Sequence, residues 1–360
     1  MSDISEVMAI EVFQLTLFFD MMSFIIVAGL VFLSSHLRSA KLEARLFKYM
    51  CFCLMAGSAA GVISYTLAVI DSIPSYWTFI LAAYLFSDIS GLIGIYFWVL
   101  FNDYMLYGSE DHLKRVRRIY LIPVAAAALL QTAVFICIEY AAPSVREIVL
   151  DLMIWIFYAE GLLNVVYLVV PAFIIWRYRR RTGRLVMFKT SPVVIPVLIA
   201  IVLTDQTEYS IVAMGFAIGL VSLFFSMTDV WKYESSTPGY FNREYLERMR
   251  YQAMKSNRDY SLAILISAGE KVQWLPEIIK SEMPKGREMI DCGSGRYAVF
   301  LHRTGRKVSE LLVRRLKEDI DEYNGEHPGD AVEARIISVT RGREESPADF
   351  VCRMADEIWK

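Results

Sequence analysis

Three carboxylates stand inside long apolar runs, where ionisable side chains are costly: Asp20, Asp88 and Glu160, the last with Asn164 one helical turn further on. A helix through each run puts the acids about 11 or 12 residues from one end, roughly 16–18 Å along the axis and close to the middle of a hydrocarbon layer of about 30 Å. No Lys or Arg occurs at that depth in any of the runs. Carboxyls in such surroundings tend to be protonated or to hold a cation. The four residues are therefore candidate positions for a small-molecule ligand. The simpler alternative is a set of protonated groups, each hydrogen-bonded to a neighbouring helix.

The remaining reactive types are sparse. Five cysteines (Cys51, Cys53, Cys137, Cys292 and Cys352) show neither a disulfide framework nor paired metal-ligand spacing. Cys51 and Cys53 form a CxC inside an apolar run, where a free cysteine behaves as a small hydrophobe. No metal or cofactor is implied.

The elements that must position these residues follow from composition. The 360-residue chain is 56% hydrophobic and 21% charged, with a mean hydropathy of +0.40, more apolar than an ordinary soluble domain. The charge is uneven: residues 1–232 hold 33 charged side chains and residues 233–360 hold 43. This excludes a single soluble enzyme and a wholly membrane-buried transporter. A net charge of −2 with no basic face excludes nucleic acid as a partner.

Apolar runs near 9–35, 46–70, 77–106, 119–139, 148–176, 191–206 and 209–231 predict seven membrane spans, the sixth short and rich in proline. Alternate connections carry 14 basic residues against one, Arg146, on the other side. The positive-inside rule then places the N-terminus outside and residues 232–360 in the cytoplasm. The acidic start MSDISEVMAIEVFQ is unlike a secretory signal, so the first span is expected to be retained. Gly57 with Gly61, and Gly215 with Gly219, have the spacing that lets helices pack closely.

Past the last span, Trp231, Lys232 and Tyr233 have the chemistry of a membrane–water boundary, and Pro238 with Gly239 must interrupt any continuous helix. Residues 233–241 read as a linker, expected to carry the signal by repositioning the soluble domain. Residues 242–360 then read as a helix opening at Asn242, followed by β-α-β-β-α-β-α. Apolar residues recur at helical spacing in the long helix: Val308, Leu311, Leu312, Leu316, Ile320 and Tyr323. Ser346 is the expected N-cap of the last helix. The glycines of Cys292-Gly-Ser-Gly295 mark a tight hairpin. The fold class expected is an α-helical seven-transmembrane bundle followed by an α/β cytoplasmic domain of ferredoxin-like βαββαβ order.

Three stretches of this domain resemble the GGDEF module of diguanylate cyclases: Thr237-Pro-Gly-Tyr-Phe-Asn-Arg243, Gly293-Ser-Gly-Arg-Tyr-Ala-Val-Phe-Leu301 and Met354-Ala-Asp-Glu-Ile-Trp-Lys360. The resemblance covers about 120 residues and implies a signature hairpin at Gly293, Ser294, Gly295, Arg296 and Tyr297. It also implies carboxylates that hold Mg²⁺ on GTP. Here Gly295 and Arg296 stand where the family has its acidic pair, and Ile266-Ser-Ala-Gly269 replaces a strand ending in a metal-binding Asp. The family's inhibitory RxxD is absent, with Pro284 and Arg287 at its offset. These departures predict a catalytically inactive module in a bacterial inner-membrane receptor. It would dock a cytoplasmic protein or form a homodimer. One alternative is an active cyclase, or a nucleotide sensor using Arg296 and Arg287 on phosphate. Another is an ion-coupled transporter with a regulatory domain, although the halves show no inverted repeat.

Overall fold

The computed structural model describes residues 2–35, 41–69, 77–108, 110–140, 143–182, 190–207, 210–237, 239–256, 260–268, 272–283, 287–302, 306–342 and 344–358. The chain divides into two units, residues 1–177 with 188–227, and residues 178–187 with 228–360.

The first unit is helical. Its elements are α1 (Ser2–Ser35), α2 (Leu42–Val69), α3 (Trp77–Tyr107), α4 (Glu110–Tyr140), α5 (Pro143–Thr182), α6 (Ser191–Thr207) and α7 (Val212–Trp231). Six of them contain stretches long and apolar enough to cross a membrane: Gln14–Ser35, Leu42–Leu67, Thr78–Tyr107, Glu110–Glu139, Tyr158–Tyr178 and Val212–Trp231. Large apolar side chains such as Phe32, Ile122, Leu129 and Trp155 point outward, as bilayer contact requires. The expected sixth span is a helix, but a short one. Its 17 residues would extend only about 26 Å, less than the hydrocarbon thickness.

Small residues set the close approaches. A Cβ on Gly215 would stand 2.6 Å from Ala200 Cβ and 2.9 Å from the Pro196 carbonyl, and one on Gly219 would stand 3.1 Å from Val193 Cα. The Gly215/Gly219 pair thus brings α6 and α7 into backbone contact. Gly57 lets Ser87 Oγ donate to its carbonyl at 3.1 Å, joining α3 to α2. Polar bonds add cross-ties. Trp98 Nε1 donates to the Leu168 carbonyl at 3.3 Å, and Tyr167 donates to the Tyr120 carbonyl at 2.8 Å.

In the second unit a four-stranded sheet separates two pairs of helices. The elements are α8 (Arg243–Ser256), β1 (Tyr260–Ser267), α9 (Leu275–Glu282), β2 (Glu288–Gly293), β3 (Arg296–His302), α10 (Arg306–Glu326), β4 (Arg335–Thr340) and α11 (Pro347–Glu357). The strand order is β2-β3-β1-β4 and every pairing is antiparallel. Because β1 is central and covered on both sides, SLAILIS reads as a continuous apolar run rather than an alternating one. Ala263 and Leu265 pack with Tyr245, Leu246 and Met249 of α8 and with Phe350, Val351 and Met354 of α11. Ile264 and Ile266 pack on the opposite face with Leu275 and Ile279 of α9 and with Leu312, Leu316 and Ile320 of α10.

Ser346 caps α11 as its sequence suggests, accepting from the Asp349 amide at 3.1 Å. The apolar stripe of α10 differs from expectation. Ser309, Leu312, Leu316 and Ile320 are buried, whereas Val308 and Leu311 are 47% and 43% exposed. The buried row recurs at three, four and four residues, and Val308 and Leu311 each lie one position, about 100° of helix, off it.

Candidate functional site

The four polar residues singled out inside the apolar runs lie on three helices. Asp20 on α1 is buried, Asp88 on α3 is exposed, and Glu160 and Asn164 on α5 are half-buried. Asp20 fits because Gly61 of α2 has no side chain: a Cβ there would stand 2.5 Å from Asp20 Oδ2. Glu160 accepts a hydrogen bond from Gln131 Nε2 of α4. The Tyr65 and Tyr84 rings meet edge to face at 5.8 Å between α2 and α3. None of the three acids has an ion-pair partner among the described residues.

Gln131 was not legible as the partner of Glu160, because amides are common in apolar helices and only the packing of α4 against α5 brings the two together. All five cysteines are free, and Cys51 is buried. Among the described residues, no three Asp, Glu, His or Cys side chains lie close enough to hold one metal ion.

The second candidate region is the β2–β3 hairpin. Its turn residues Ser294 and Gly295 have φ of 51° and 69°, and Gly293 before them has φ of 83°. This pair of positive values belongs to the turn whose twist matches that of the strands it joins. Arg296 donates from Nη1 to the Ile358 carbonyl just past α11 at 3.2 Å. Arg287 donates from Nη2 to the Lys280 carbonyl at 2.7 Å and from Nη1 to the Met283 carbonyl. Both guanidinium groups thus engage carbonyls at helix C-termini, where cations are favoured. The register sets Ser267 of β1 between Arg296 of β3 and Arg335 of β4. A shallow cleft lies beside this trio, lined also by Tyr297, Ile337 and Glu357.

Tyr297 is 1% exposed, and its hydroxyl has no hydrogen-bond partner. Its ring meets that of Tyr240 at 5.6 Å. Burial, with the nearby Asp291 charge, pushes the Tyr297 phenol up to about 12. Burial likewise raises Cys292 to about 12, which leaves a thiol rather than a nucleophilic thiolate at neutral pH.

The segment after α7 is held by a residue that sequence reasoning overlooked. Asp291 of β2, 9% exposed, accepts from Ser235 Oγ at 2.8 Å, Thr237 Oγ1 at 2.6 Å and the Gly293 amide at 2.9 Å. Backbone bonds reinforce the attachment: the Phe241 amide donates to the Met289 carbonyl at 2.8 Å, and the Asp291 amide to the Phe241 carbonyl at 2.7 Å. Asn242 accepts from the Tyr245 amide at 3.2 Å, capping α8, and its Nδ2 donates to the Lys232 carbonyl at 2.5 Å. Arg248 sits 4.7 Å over the Tyr233 ring. Trp231 ends α7, and Gly239 turns the chain with φ of 84°. Pro238 lies outside the described residues. The one sequence signal for Asp291 is its place two residues before Gly293, the spacing of an Asx-turn.

Compared with known proteins, no family model matches this chain, and no curated protein matches it in sequence.

Proposed function

We propose that this chain is a bacterial inner-membrane signal-transduction protein. A seven-span sensor, N-terminus outside, is coupled to a cytoplasmic GGDEF-like domain that is catalytically inactive and serves to dock a protein partner or a second copy. The Asp291 attachment carries this reading. The segment that follows α7 is bonded onto β2 through Ser235 and Thr237, so the stretch of chain that would carry a signal is held to the sheet at its far end.

Other features support it. The strand order β2-β3-β1-β4, with α9 and α10 on one face, agrees with a ferredoxin-like βαββαβ arrangement. The contact of α6 with Gly215 and Gly219 favours a seventh membrane segment. Inactivity follows from chemistry: Gly295, Arg296 and Ser267 stand where Mg²⁺ on a triphosphate would need carboxylates. A runner-up rests on the cleft flanked by Arg296 and Arg335, which suits an anionic nucleotide bound without turnover.

Two measurements on the full chain in lipid nanodiscs test the proposal. With GTP and Mg²⁺, no cyclic di-GMP is expected above a buffer control, and product would overturn the inactive assignment. Asp20→Asn in the bundle is expected to change amide hydrogen exchange at residues 240–242 and in β2. Identical exchange in both proteins would remove the coupling.

A further inference from the structure

The sheet of the second unit has two edges, and the chain treats them differently. The outer edge of β2 is covered: the Phe241 amide donates to the Met289 carbonyl and the Asp291 amide to the Phe241 carbonyl, so Phe241 acts as a short further strand. The outer edge of β4 has no strand beside it among the described residues. Such an edge carries a row of backbone donors and acceptors, a template for another chain, and proteins usually spoil it with lysine, proline or a bulge. β4 has none of these. Its sequence, Arg335-Ile-Ile-Ser-Val-Thr340, holds one charge at its start, and its pairing with β1 runs without irregularity. Ile336, Ile337 and Val339 are only half-buried. Both faces beside the edge are open, one cleft being lined by Arg335 and Ile337 and another by Glu333, Ala334 and Ile336. The approach to the strand is anchored. Asn324 of α10 donates to the Val332 carbonyl at 3.0 Å and accepts from the Val332 amide at 2.9 Å, which fixes where Glu333 enters.

The pattern of the strand itself says what covers it. Residues opposite each other in an antiparallel pair share a face and a hydrogen-bonding side. A strand paired with its own copy must therefore be centred on a residue, not between two. Centring on Ser338 sets Arg335 opposite Arg341, a like-charge pair that is unfavourable. Centring on Ile336 sets Glu333 opposite Val339 and Arg341 opposite Ala331, which matches no charges. Centring on Ile337 sets Glu333 opposite Arg341 at both ends of the ladder, and opposite charges facing across strands stabilise a pair. The same register places Ile337 against itself and Ile336 against Ser338, covering apolar surface that is now half open. Two copies confined to one bilayer also meet at a raised effective concentration, so a short ladder is enough to hold them.

We propose that β4 pairs antiparallel with β4 of a second copy about a two-fold axis at Ile337, joining the two sheets into one, with Glu333 set against the partner's Arg341 at each end. The assignment rests on the docking-domain reading and deepens it, naming a second copy as the occupant and β4 as the surface.

Disulfide cross-linking of the full chain in membrane vesicles tests it. Ile336→Cys, Ile337→Cys and Ser338→Cys are each oxidised with copper phenanthroline, beside the wild type, whose five cysteines set the background. Ile337→Cys is expected to give a covalent dimer, because the axis brings the two Cα atoms to about 4.5–5.5 Å, within disulfide reach. Ile336→Cys and Ser338→Cys should give at least about fivefold less, since each then lies diagonally across from its own copy at about 7–8 Å. Charge exchange tests the register without oxidation. Glu333→Arg should weaken self-association of the full chain in detergent by about tenfold, and adding Arg341→Glu should restore it to within about threefold, a rescue that a folding defect would not show. No dimer above the wild-type background at any of the three positions overturns the proposal and leaves the edge to a different protein. A maximum at position 336 or 338, or a charge exchange that restores nothing, overturns it as well. The GTP and hydrogen-exchange measurements use none of these variants, so the sensor reading stands or falls separately.

Discussion

Replacing Asp291 should loosen the second unit by an amount that its hydrogen bonds let one estimate. The carboxylate accepts three bonds, from Ser235, Thr237 and the Gly293 amide. Bonds to a charged acceptor contribute about 1.5–3 kcal/mol each, but neighbours sharing one carboxylate are not additive. Ala at this position also leaves the Thr237 hydroxyl, on a residue only 7% exposed, without its acceptor. A loss of about 3 kcal/mol is expected for Asp291→Ala, out of roughly 6–18 kcal/mol for a domain of about 120 residues. Asp291→Asn should cost about 1 kcal/mol, because its carbonyl can keep the Gly293 bond while its amide donates to the two hydroxyls. In urea unfolding of residues 233–360, the Ala variant should lower the midpoint by roughly 1–2 M at a slope of about 2 kcal/mol/M. Exchange of the Thr237 amide, bonded to Ser235 Oγ at 3.1 Å, should accelerate as well. A midpoint within error of the wild type would show that the segment after α7 is not held as described.

Further outcomes can be checked independently. A reporter active only in the cytoplasm should work when fused after Lys360 and fail when fused after Pro74; activity at both would refute the assignment of the first two spans. Gly215→Leu should separate α6 from α7 at a cost of about 1–3 kcal/mol or more, read as a lowered unfolding temperature in detergent, and an unchanged temperature would contradict the contact. The raised Tyr297 phenol stabilises the fold fully below the unfolded-state value of about 10 and loses that contribution as pH climbs towards about 12. Alkaline unfolding of residues 233–360 should therefore steepen in that window and be less steep in Tyr297→Phe; identical profiles would refute the tyrosine's part in it.

The elements were legible where one physical signal dominated. Long apolar runs marked α1 to α5 and α7, and Ser346 announced the start of α11. The α10 stripe was misjudged because Val308 and Leu311 have the right chemistry on the wrong side of the row, which only the sheet position decides. The polar groups of the helical unit were half legible. Acids in apolar runs stand out by cost, whereas Gln131 looks ordinary until α4 and α5 are packed. Asp291 was missed because its partners lie 54 and 56 residues away in sequence, and no local pattern encodes such a pairing.

The arrangement of α8 and α11 on one face of the sheet has a consequence for synthesis of the chain. Met249 of α8 and Phe350 of α11 pack in the same cluster, yet about 100 residues separate them in order of translation. At roughly 5–20 residues per second, α8 leaves the ribosome about 5–20 s before its cover exists. During that interval Tyr245, Leu246 and Met249 present an uncovered apolar face. The second unit therefore closes late, and a ribosome stalled between α10 and α11 leaves a nascent chain with the apolar face of α8 bare to chaperones and proteases.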